Sequence, residues 1–425
     1  MLDIFGKCAT EGGYFGQLRA AKDRFFTLPV IDDIPGPHMK FQDQDNIMWS
    51  VNNYIGLAND TDVKNAAIKA MKTWSISSPM GSRMMSGSTS EHIALEKSLA
   101  EHAQKEDSFL FNYGYMGVLG TVTALTGPDD TLIVDKLSHA CIVDAALSSR
   151  SQNSGRTTVR FFRHNDMNDL ETALKSVNKT RKGGLMILVE GVYGMTGDLA
   201  NLDDITNLAH RYDARIFVDD AHGIGVLGEK GRGTACHLGV QEKIDIYFGT
   251  FAKAFASIGG YSATSNLVRD YIAYNARTQV FAKALPMHYV LSLKVALQKV
   301  IEGDERRRIM WQRSGELKNG LRKLGYHIGT GESPICSVFI PIGKRLEAIG
   351  MEMLAYLRKK GVFCTGVIWP VIPPGLMLLR MIPTSAHAPD DVVKTVEVFK
   401  SMQDDLRMRA LDSSELGKIA KIYRN

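Results

Sequence analysis

The segment GTFAKAFASIGGY, residues 249–261, surrounds one lysine with small and apolar side chains. A lysine normally keeps its ammonium group in solvent, whereas Lys253 has Phe251, Phe255 and three alanines as close sequence neighbours. One interpretation is a lysine at the end of a core helix. The alternative is an amine that is partly desolvated and therefore neutral, which is the state that forms a Schiff base with a carbonyl group.

The segment FVDDAHGIG, residues 217–225, ends an apolar run with two aspartates and a histidine. An aspartate at such a point is often only a cap at a loop. The functional interpretation is that Asp219 pairs with a protonated heterocyclic nitrogen, while His222 hydrogen-bonds a phenolic oxygen.

Two further segments carry groups that suit the same ligand. FNYGYMG, residues 111–117, ends an apolar run in a glycine turn before a helical pattern, and such a turn offers backbone N–H groups to a phosphate. His139 in KLSHACIVDA is either a satisfied core histidine or a ring that stacks on the ligand. Together, the lysine, the aspartate, the histidines and the phosphate turn specify pyridoxal phosphate, whose aldehyde needs the lysine and whose pyridinium nitrogen needs the aspartate.

Short apolar runs alternate with helix-like stretches from about residue 60 to 265. This alternation predicts an α/β fold with a mostly parallel sheet and helices on both faces. Ligands of such sheets bind at the carboxyl ends of the strands, so the polar residues that close each run are the candidates for chemistry. The predicted strands are DSFLFNYG, DTLIVD, TVRFFRH, GLMILVEGVYG, ARIFVDD and IDIYFGTFA, and the predicted helices include HIALEKSLAEHAQ, MNDLETALKSVNK and NLDDITNLAHRYD.

The pattern changes beyond about residue 295. One long helix-like stretch, residues 290–325, precedes strand-like segments and a final helix candidate, DDVVKTVEVFKSM. We predict a large domain over residues 46–295 and a smaller α+β domain over residues 296–405, with residues 1–45 packing on the smaller domain. Residues 406–425 form a basic tail that is typical of a frayed terminal helix or of a contact with a membrane surface or a partner.

The bulk composition argues against several classes of protein. A length of 425 residues suffices for two domains, and a net charge of +5, from 51 basic and 46 acidic residues, does not indicate a nucleic-acid binder. The five cysteines are scattered without CxxC spacing, which indicates reduced thiols and no metal site. No signal pattern and no apolar stretch of bilayer-spanning length occurs, so we expect a cytoplasmic protein without an integral membrane segment.

The order of these motifs resembles the α-oxoamine synthases, the fold-type I pyridoxal-phosphate enzymes that join an amino acid to an acyl thioester. VDDAHGIGVLGEKGRGT followed by GTFAKAFASIGGY is close to a family signature, and GSRMMSGSTSEH, KLSHACIVDA and EGVYGMTGDLANL agree with it in order and spacing. The resemblance covers about four-fifths of the chain. It implies a fold-type I, aminotransferase-like architecture, a pyridoxal 5'-phosphate cofactor and a homodimer whose active site is completed across the subunit interface.

The resemblance also implies roles for the residues around the cofactor ring. Lys253 corresponds to the lysine that forms the Schiff base, and Asp219 corresponds to the partner of the pyridinium nitrogen. His139 corresponds to the histidine that stacks on the ring and supports acyl transfer. His222 corresponds to the partner of the phenolic oxygen.

Further residues correspond to those that hold the phosphate and the substrate. Thr250 and the backbone turn at Gly114 and Tyr115 match the phosphate ligands of the family. Arg380 matches the arginine that grips the substrate carboxylate, a task for which its planar guanidinium is suited. Asn52 matches an asparagine of the amino-acid pocket.

Three departures from the family pattern concern the walls of the site. Gly194 stands where relatives often carry serine, so one hydroxyl contact to the cofactor is missing. The segment AKA, residues 282–284, stands where many relatives carry Ser or Thr residues that reach the phosphate of the neighbouring subunit, and Lys283 is the candidate to supply a charge instead. The usual glycine-rich run before GSR reads SISSPMG here, with Pro79 and Met80 reshaping that wall.

The resemblance is nearest to serine palmitoyltransferase-like members. Met80, Met84 and Met85 either offer adaptable apolar surface to a long acyl chain or fill gaps in the core. We expect a condensation of serine, or an analogue such as cysteate, with a long-chain acyl thioester on CoA or on an acyl carrier protein, as a first step of sphingoid or sulfonolipid base synthesis. Lys283 and the SISSPM wall would suit an anionic side chain.

Other functions use much of the same chemistry. Glycine C-acetyltransferase (2-amino-3-ketobutyrate CoA ligase) and 8-amino-7-oxononanoate synthase are the alternatives within the family. An aminotransferase would share Lys253 and Asp219 but would not explain GSRMMSG and His139. A non-catalytic homologue would lack the lysine.

Overall fold

A seven-stranded sheet forms the centre of the larger part of the molecule. The computed structural model describes residues 3–9, 16, 19, 28–341, 346–408 and 410–424, so most of the predicted N-terminal segment before residue 28 lies outside the described residues. The strands of the described residues are β1 (His38–Phe41), β2 (Gln44–Met48), β3 (Asp107–Phe111), β4 (Thr131–Asp135), β5 (Thr158–Phe162), β6 (Leu185–Glu190), β7 (Arg215–Asp219), β8 (Ile246–Thr250), β9 (Gly260–Thr264), β10 (Cys336–Phe339), β11 (Val362–Phe363), β12 (Thr365–Val367) and β13 (Leu378–Met381).

The α-helices connect these strands and cover the sheet. In the described part of the chain they are α1 (Thr61–Trp74), α2 (Ser90–His102), α3 (Gly114–Leu125), α4 (Ala140–Gln152), α5 (Met167–Asn178), α6 (Leu202–Arg211), α7 (Thr234–His237), α8 (Asn266–Asn275), α9 (Arg277–Val280), α10 (Met287–Ile301), α11 (Asp304–Lys323), α12 (Leu346–Lys359), α13 (Pro389–Asp405) and α14 (Ser413–Arg424).

The large sheet has the strand order β3-β9-β8-β7-β6-β4-β5 and is parallel except for β9. This order confirms the predicted mostly parallel α/β fold, and the six predicted strands correspond to β3 through β8. Strand β9 was not predicted, because GYSAT contains small residues that read as a continuation of the preceding turn. It nevertheless forms a strand, since it is fully buried and pairs antiparallel with both β3 and β8.

Two apolar layers hold helices against the two faces of the sheet. One includes Leu170 of α5 and Leu202 of α6, and the other includes Val118 of α3 and Ile142 of α4. Strands β4 and β8 are buried at every position, as expected of strands covered on both faces. The helices therefore fix the parallel strands in place, with their carboxyl ends along one edge of the sheet.

Two smaller three-stranded sheets lie outside this unit, with the orders β1-β2-β11 and β10-β13-β12. Ile47 of β2 pairs in parallel register with Val362 of β11, so the described residues just before position 49 hydrogen-bond to a distant C-terminal strand. In the other sheet, Arg380 of β13 pairs with Ser337 of β10. The domain boundaries that we propose from the sequence are compatible with these pairings and stay a prediction.

The prediction of one long helix over residues 290–325 is wrong. The chain forms two helices, α10 and α11, which are separated at Glu302 and Gly303. Glycine is a poor helix former, and Asp304 and Glu305 favour a new helix N-terminus because their carboxylates interact well with the helix dipole.

The C-terminal segment also differs from its prediction. Instead of a frayed helix, α14 packs inward, and Ile419 is buried in a cluster with Phe339 and Leu378. Within the residues that the structure describes, no helix combines the length and the apolar character that crossing a bilayer requires.

Candidate active site

Lys253 lies in a turn that follows β8, and not at the end of a helix as one interpretation of the sequence held. Its carbonyl accepts the Ala256 N–H at 2.9 Å, which closes the turn. Burial lowers the pKa of the Lys253 ammonium group and the charge of Arg380 adds to this effect, while Asp219 and Glu190 oppose it. The environment therefore favours the neutral, nucleophilic amine more than water does.

Two buried carboxyl groups stand near this lysine at the ends of neighbouring strands. Glu190 of β6 and Asp219 of β7 are paired in the register of the sheet. Burial is the main cause that raises the pKa of both groups, that of Glu190 to about 8, and the charge of Lys253 opposes the shift in each case. The site thus contains two carboxyl groups and one amine whose protonation states depend on one another.

His139 caps the N-terminus of α4 and is fixed by contacts on both its backbone and its ring. Its backbone N–H donates to Glu190 Oε1 at 2.6 Å. Its Nδ1 accepts the Cys141 N–H at 3.2 Å and lies 2.9 Å from Cys141 Sγ, which is 3.6 Å from Asp219 Oδ2. Since Nδ1 is an acceptor here, the neutral ring carries its proton on Nε2. Burial lowers the pKa of His139, and Lys253 contributes in the same direction, so the neutral form is favoured.

The turn after β3 and the end of β8 meet at Gly114 and Thr250. A Cβ atom on Gly114 would lie 2.7 Å from Thr250 Oγ1, so only glycine permits this approach. Gly114 also begins α3, whose first turn offers backbone N–H groups that have no partner within the helix. Tyr115 follows, with its hydroxyl donating to Asp144 and its ring edge-on to His139 at 6.4 Å between centroids. Free backbone N–H groups at a helix N-terminus are the kind of group that binds an anion, so the predicted phosphate turn stays a prediction at this position.

His222 is held by Tyr54 on one side and lies close to Gly194 on the other. Its Nδ1 is 2.7 Å from Tyr54 Oη. A Cβ atom on Gly194 would lie 2.3 Å from His222 Nε2, so the ring occupies the space that a larger residue at position 194 would need. Burial, followed by the charges of Lys253 and Arg380, lowers the pKa of His222, so its ring is neutral.

Arg380 of β13 reaches from the smaller part of the molecule into the same site. Its Nε donates to the Gly194 carbonyl at 2.5 Å, and its Nη2 donates to Asn52 Oδ1 at 3.4 Å. The residue is 7% exposed, and the guanidinium carries more N–H donors than these two contacts use. The structure therefore brings Arg380 and Asn52 together, and the predicted role of Arg380 in binding a carboxylate stays a prediction.

The similarity of the chain to known proteins extends along nearly its whole length. The profile of the aminotransferase class I and II family matches residues 44–396. The chain is 39% identical to a cysteate-C-fatty acyltransferase from Capnocytophaga ochracea, with 96% of each sequence covered. It is 35% identical to a serine palmitoyltransferase from Bacteriovorax stolpii, with 89% of this chain and 87% of that protein covered. The chain belongs to the α-oxoamine synthase family.

Solved structures agree with this assignment. A serine palmitoyltransferase from Sphingomonas wittichii superposes with a TM-score of 0.86 at 28% identity, covering 95% of this chain and 98% of that one. A serine palmitoyltransferase from S. paucimobilis with bound PLP and myriocin gives a TM-score of 0.87 at 26% identity, covering 95% of this chain and 99% of that one. The fold is thus fold type I, and this α-oxoamine synthase is a pyridoxal-phosphate-dependent C-acyltransferase.

Lys283 contacts the segment SISSPMG and the residues just before Gly114. Its Nζ donates to Ser77 Oγ at 3.1 Å, its carbonyl accepts from Asn112, and a β-bridge joins it to Ser82. Within one subunit it therefore lies against the segment SISSPMG, and its predicted action on a neighbouring subunit stays a prediction. Met80 and Met85 on this wall are 79% and 83% exposed, so the interpretation that they fill gaps in the core is wrong.

Two residues of this synthase's site were missed in the sequence. Glu190 closes the predicted strand GLMILVEGVYG, so its position at a strand end was an available signal. Tyr54 lies within NNYIGL, from which only Asn52 was selected. Asp220, the second aspartate of FVDDAHGIG, has a structural role, because its carboxylate accepts from Thr234 N–H and Oγ1, both at 2.6 Å.

Among the described residues, no group of three or more His, Cys, Asp or Glu side chains is arranged to hold a metal ion.

Proposed function

We propose that this α-oxoamine synthase condenses cysteate, or serine, with a long-chain acyl thioester and releases carbon dioxide, as a first step of sulfonolipid or sphingoid base synthesis. The observation that carries the proposal is the 39% identity, over 96% of both chains, with a cysteate-C-fatty acyltransferase. Serine palmitoyltransferases resemble the chain in sequence and in structure as well, which supports the class of reaction for either amino acid.

The residues of the site fit pyridoxal phosphate. Gly114 lies close to Thr250 and begins α3, where the phosphate would accept hydrogen bonds from backbone N–H groups, including that of Tyr115. Lys253 follows Thr250 by three residues and carries the amine for the aldehyde. Asp219 would pair with the pyridinium nitrogen.

Two histidines would complete the cofactor site. His139 would stack on the pyridine ring of the cofactor. Its imidazole is neutral and carries its proton on Nε2, so Nε2 would be its hydrogen-bond donor. His222 would face the phenolic oxygen, with Tyr54 fixing its orientation from the opposite ring nitrogen.

The chemistry follows from these positions. Pyridoxal phosphate, when bound, supplies an electron sink that stabilises negative charge at Cα of the amino acid. Arg380 binds the substrate carboxylate, and Asn52 helps to hold the guanidinium in position. Lys253 Nζ takes the Cα proton, for which a neutral amine is required. A bond then forms between Cα and the acyl carbon, the thiol leaves, the carboxylate departs as carbon dioxide, and a proton returns to Cα.

A homodimer is part of the proposal. Several large apolar side chains of the wall near Lys283 are exposed in the single chain, with Phe281 at 77% and Met80 at 79%. An apolar surface of this kind is usually covered by another chain. Lys283 is our candidate for a group that reaches the phosphate of the partner subunit.

Three methionines form the candidate surface for the acyl chain. Met80, Met84 and Met85 are exposed and flexible, and would offer adaptable apolar surface to a long acyl chain. The carrier is CoA or an acyl carrier protein. Lys283 beside Ser77 would provide a positive charge for the sulfonate of cysteate.

Binding and product analysis test this function together. The purified enzyme is titrated with cysteate, serine, alanine and glycine while the absorbance of the cofactor is followed, and products are then analysed with acetyl-CoA, palmitoyl-CoA and a palmitoylated acyl carrier protein. We expect cysteate or serine to perturb the spectrum and a palmitoyl thioester to react. A response to glycine alone with acetyl-CoA alone would establish the glycine C-acetyltransferase alternative instead.

One further candidate has specific support. An 8-amino-7-oxononanoate synthase from Alkaliphilus oremlandii is 34% identical, with 92% of this chain and 97% of that protein covered. Alanine with a pimeloyl thioester is therefore the second substrate pair to assay.

A further inference from the structure

The C-terminal helix α14 begins at a capping box and contacts the rest of the chain in its middle and near its end. At its start, Asp412 N–H donates to Glu415 Oε2 at 3.0 Å, and Glu415 N–H donates to Asp412 Oδ1 at 2.9 Å. This reciprocal capping box defines where the helix begins. In its middle, Ile419 is 4% exposed and packs in a cluster that includes Leu378 and Met195. Leu378 and Met195 are close sequence neighbours of Arg380 and Gly194, so α14 packs against the two segments that carry these residues.

Near the end of the helix, the hydroxyl group of Tyr423 enters a polar network. It donates to Asp198 Oδ2 at 3.0 Å and also contacts Thr196 Oγ1, which donates to Asp198 Oδ2 at 2.6 Å. The ring of His164 meets that of Tyr423 edge-on, with 5.2 Å between their centroids.

His164 belongs to the same network. His164 lies 3.0 Å from Asp135 Oδ1 and 3.7 Å from Asp198 Oδ2. Burial acts against its protonation, but the hydrogen bonds to these two aspartates outweigh burial and raise its pKa to about 9. Asp198 is thus held between a cation and the Tyr423 hydroxyl.

Asp198 closes the turn that presents Gly194. Tyr193 N–H donates to the Asp198 carbonyl at 2.9 Å, and Gly197 N–H donates to the Tyr193 carbonyl at 2.9 Å. Gly194, inside this turn, accepts the Arg380 Nε–H at 2.5 Å. A displacement of the turn would therefore move the hydrogen-bond acceptor that orients the guanidinium.

We propose that Tyr423 is a positioning residue for amino-acid binding: by holding Thr196 and Asp198 it fixes the 193–198 turn, and through the Gly194 carbonyl it orients Arg380 toward the substrate carboxylate. The inference rests on the proposed function only in assigning Arg380 to the carboxylate. The C-terminal segment would thus contribute to substrate recognition, although Tyr423 is remote from Gly194 and Arg380 in the sequence.

The test compares Tyr423→Phe, which removes only the hydroxyl group, with Lys421→Ala, which changes an exposed residue of the same helix. In the full-length holoenzyme, dissociation constants for serine, cysteate, glycine and alanine are measured by cofactor absorbance, and KM is measured for the acyl thioester. We expect Tyr423→Phe to weaken binding of the amino acid by about three- to tenfold, with little change in the KM of the thioester. Lys421→Ala should match the wild type.

Hydrogen exchange supplies a readout that does not depend on turnover. The peptide covering residues 191–199 should exchange faster in Tyr423→Phe than in the wild type, while peptides of β7 and β8 stay protected. An unchanged amino-acid affinity in Tyr423→Phe, with only a lower melting temperature, would show a purely structural role and overturn the inference. If the wild type binds neither serine nor cysteate, the proposed substrate is wrong, but the inference is still tested with glycine or alanine, because each carries the same carboxylate.

Discussion

Glu190 and Asp219 lie opposite each other at the carboxyl ends of neighbouring parallel strands, where both are buried. Burial raises the pKa of each, that of Glu190 to about 8, and the charge of Asp219 adds to the shift of Glu190, while the charge of Lys253 opposes both shifts. Two adjacent buried carboxylates repel, so the proton is retained more readily at Glu190. A protonated Glu190 would leave Asp219 as the ionised partner that we propose for the pyridinium nitrogen.

The raised pKa of Glu190 predicts a pH-dependent stability. The folded protein binds a proton at Glu190 that the unfolded chain has lost above its ordinary pKa of 4.5, so the group stabilises the fold at low pH and loses this contribution as the pH rises to about 8. We expect the melting temperature of the cofactor-free enzyme to fall between about pH 5.5 and about pH 8.5, and to fall less in Glu190→Gln. Glu397→Gln, an exposed control on α13, should behave as the wild type does. If the melting temperature of Glu190→Gln depended on pH as strongly as that of the wild type, the raised pKa could not be assigned to Glu190.

Lys253→Ala should fold and yet be unable to attach pyridoxal phosphate covalently, because the only amine proposed for the aldehyde is gone. Borohydride reduction followed by mass spectrometry of the peptide containing residue 253 measures the attachment directly. Lys294→Ala, whose side chain pairs with Glu91 on the surface, is the control and should retain it. Decarboxylative condensation by Lys253→Ala would refute its proposed role.

Asp219→Asn should bind pyridoxal phosphate but turn over slowly. The amide is similar in size to the carboxylate but cannot stabilise a protonated pyridine nitrogen, so we expect kcat to fall by about a hundredfold or more. Turnover is normalised to the cofactor content of the same sample, which separates weak binding from poor activation. A rate near that of the wild type would rule out the pairing of Asp219 with the cofactor nitrogen.

Gly194→Ser should impair the enzyme although relatives often carry serine at this position. The added Cβ atom would lie 2.3 Å from His222 Nε2, so the imidazole must move and its contact with Tyr54 is strained. We expect kcat/KM to fall by about tenfold. Gly315→Ser on α11 is the matched control, since nothing lies within 4 Å of a Cβ atom there. Full activity of Gly194→Ser would mean that the His222 ring has freedom to shift.

The predicted homodimer can be tested by mixing subunits. If Lys283 acts on the phosphate of its partner, a subunit with Lys253→Ala and a subunit with Lys283→Ala together contain one intact site. Two singly inactive preparations should then regain activity when dissociated and reassembled, with the heterodimer verified by affinity tags. Heterodimers without any recovered activity would place Lys283 outside the partner's site.

Much of this site was accessible from the sequence because of the topology of parallel sheets. His139, Asp219 and Lys253 each follow a short apolar run, and parallel strands bring their carboxyl ends to one edge. Knowing that the runs were strands was therefore enough to predict that these residues meet. Strand β9 and the break between α10 and α11 were not predicted. Burial and pairing with β3 and β8 make residues 260–264 a strand, although their local pattern indicates a turn. Gly303 interrupts the helical pattern between α10 and α11.

The amino-acid sequence by itself determined the family and the cofactor and predicted the residues that would carry the chemistry, since these depend on residue types at particular strand ends. Only the tertiary structure decided how these groups affect one another. The raised pKa of Glu190 results from burial beside Asp219, and the space at Gly194 results from the position of the His222 ring. The contact of Tyr423 with Asp198 joins residues that are distant in the sequence. Each depends on distances and burial between separate elements, which are properties of the folded chain.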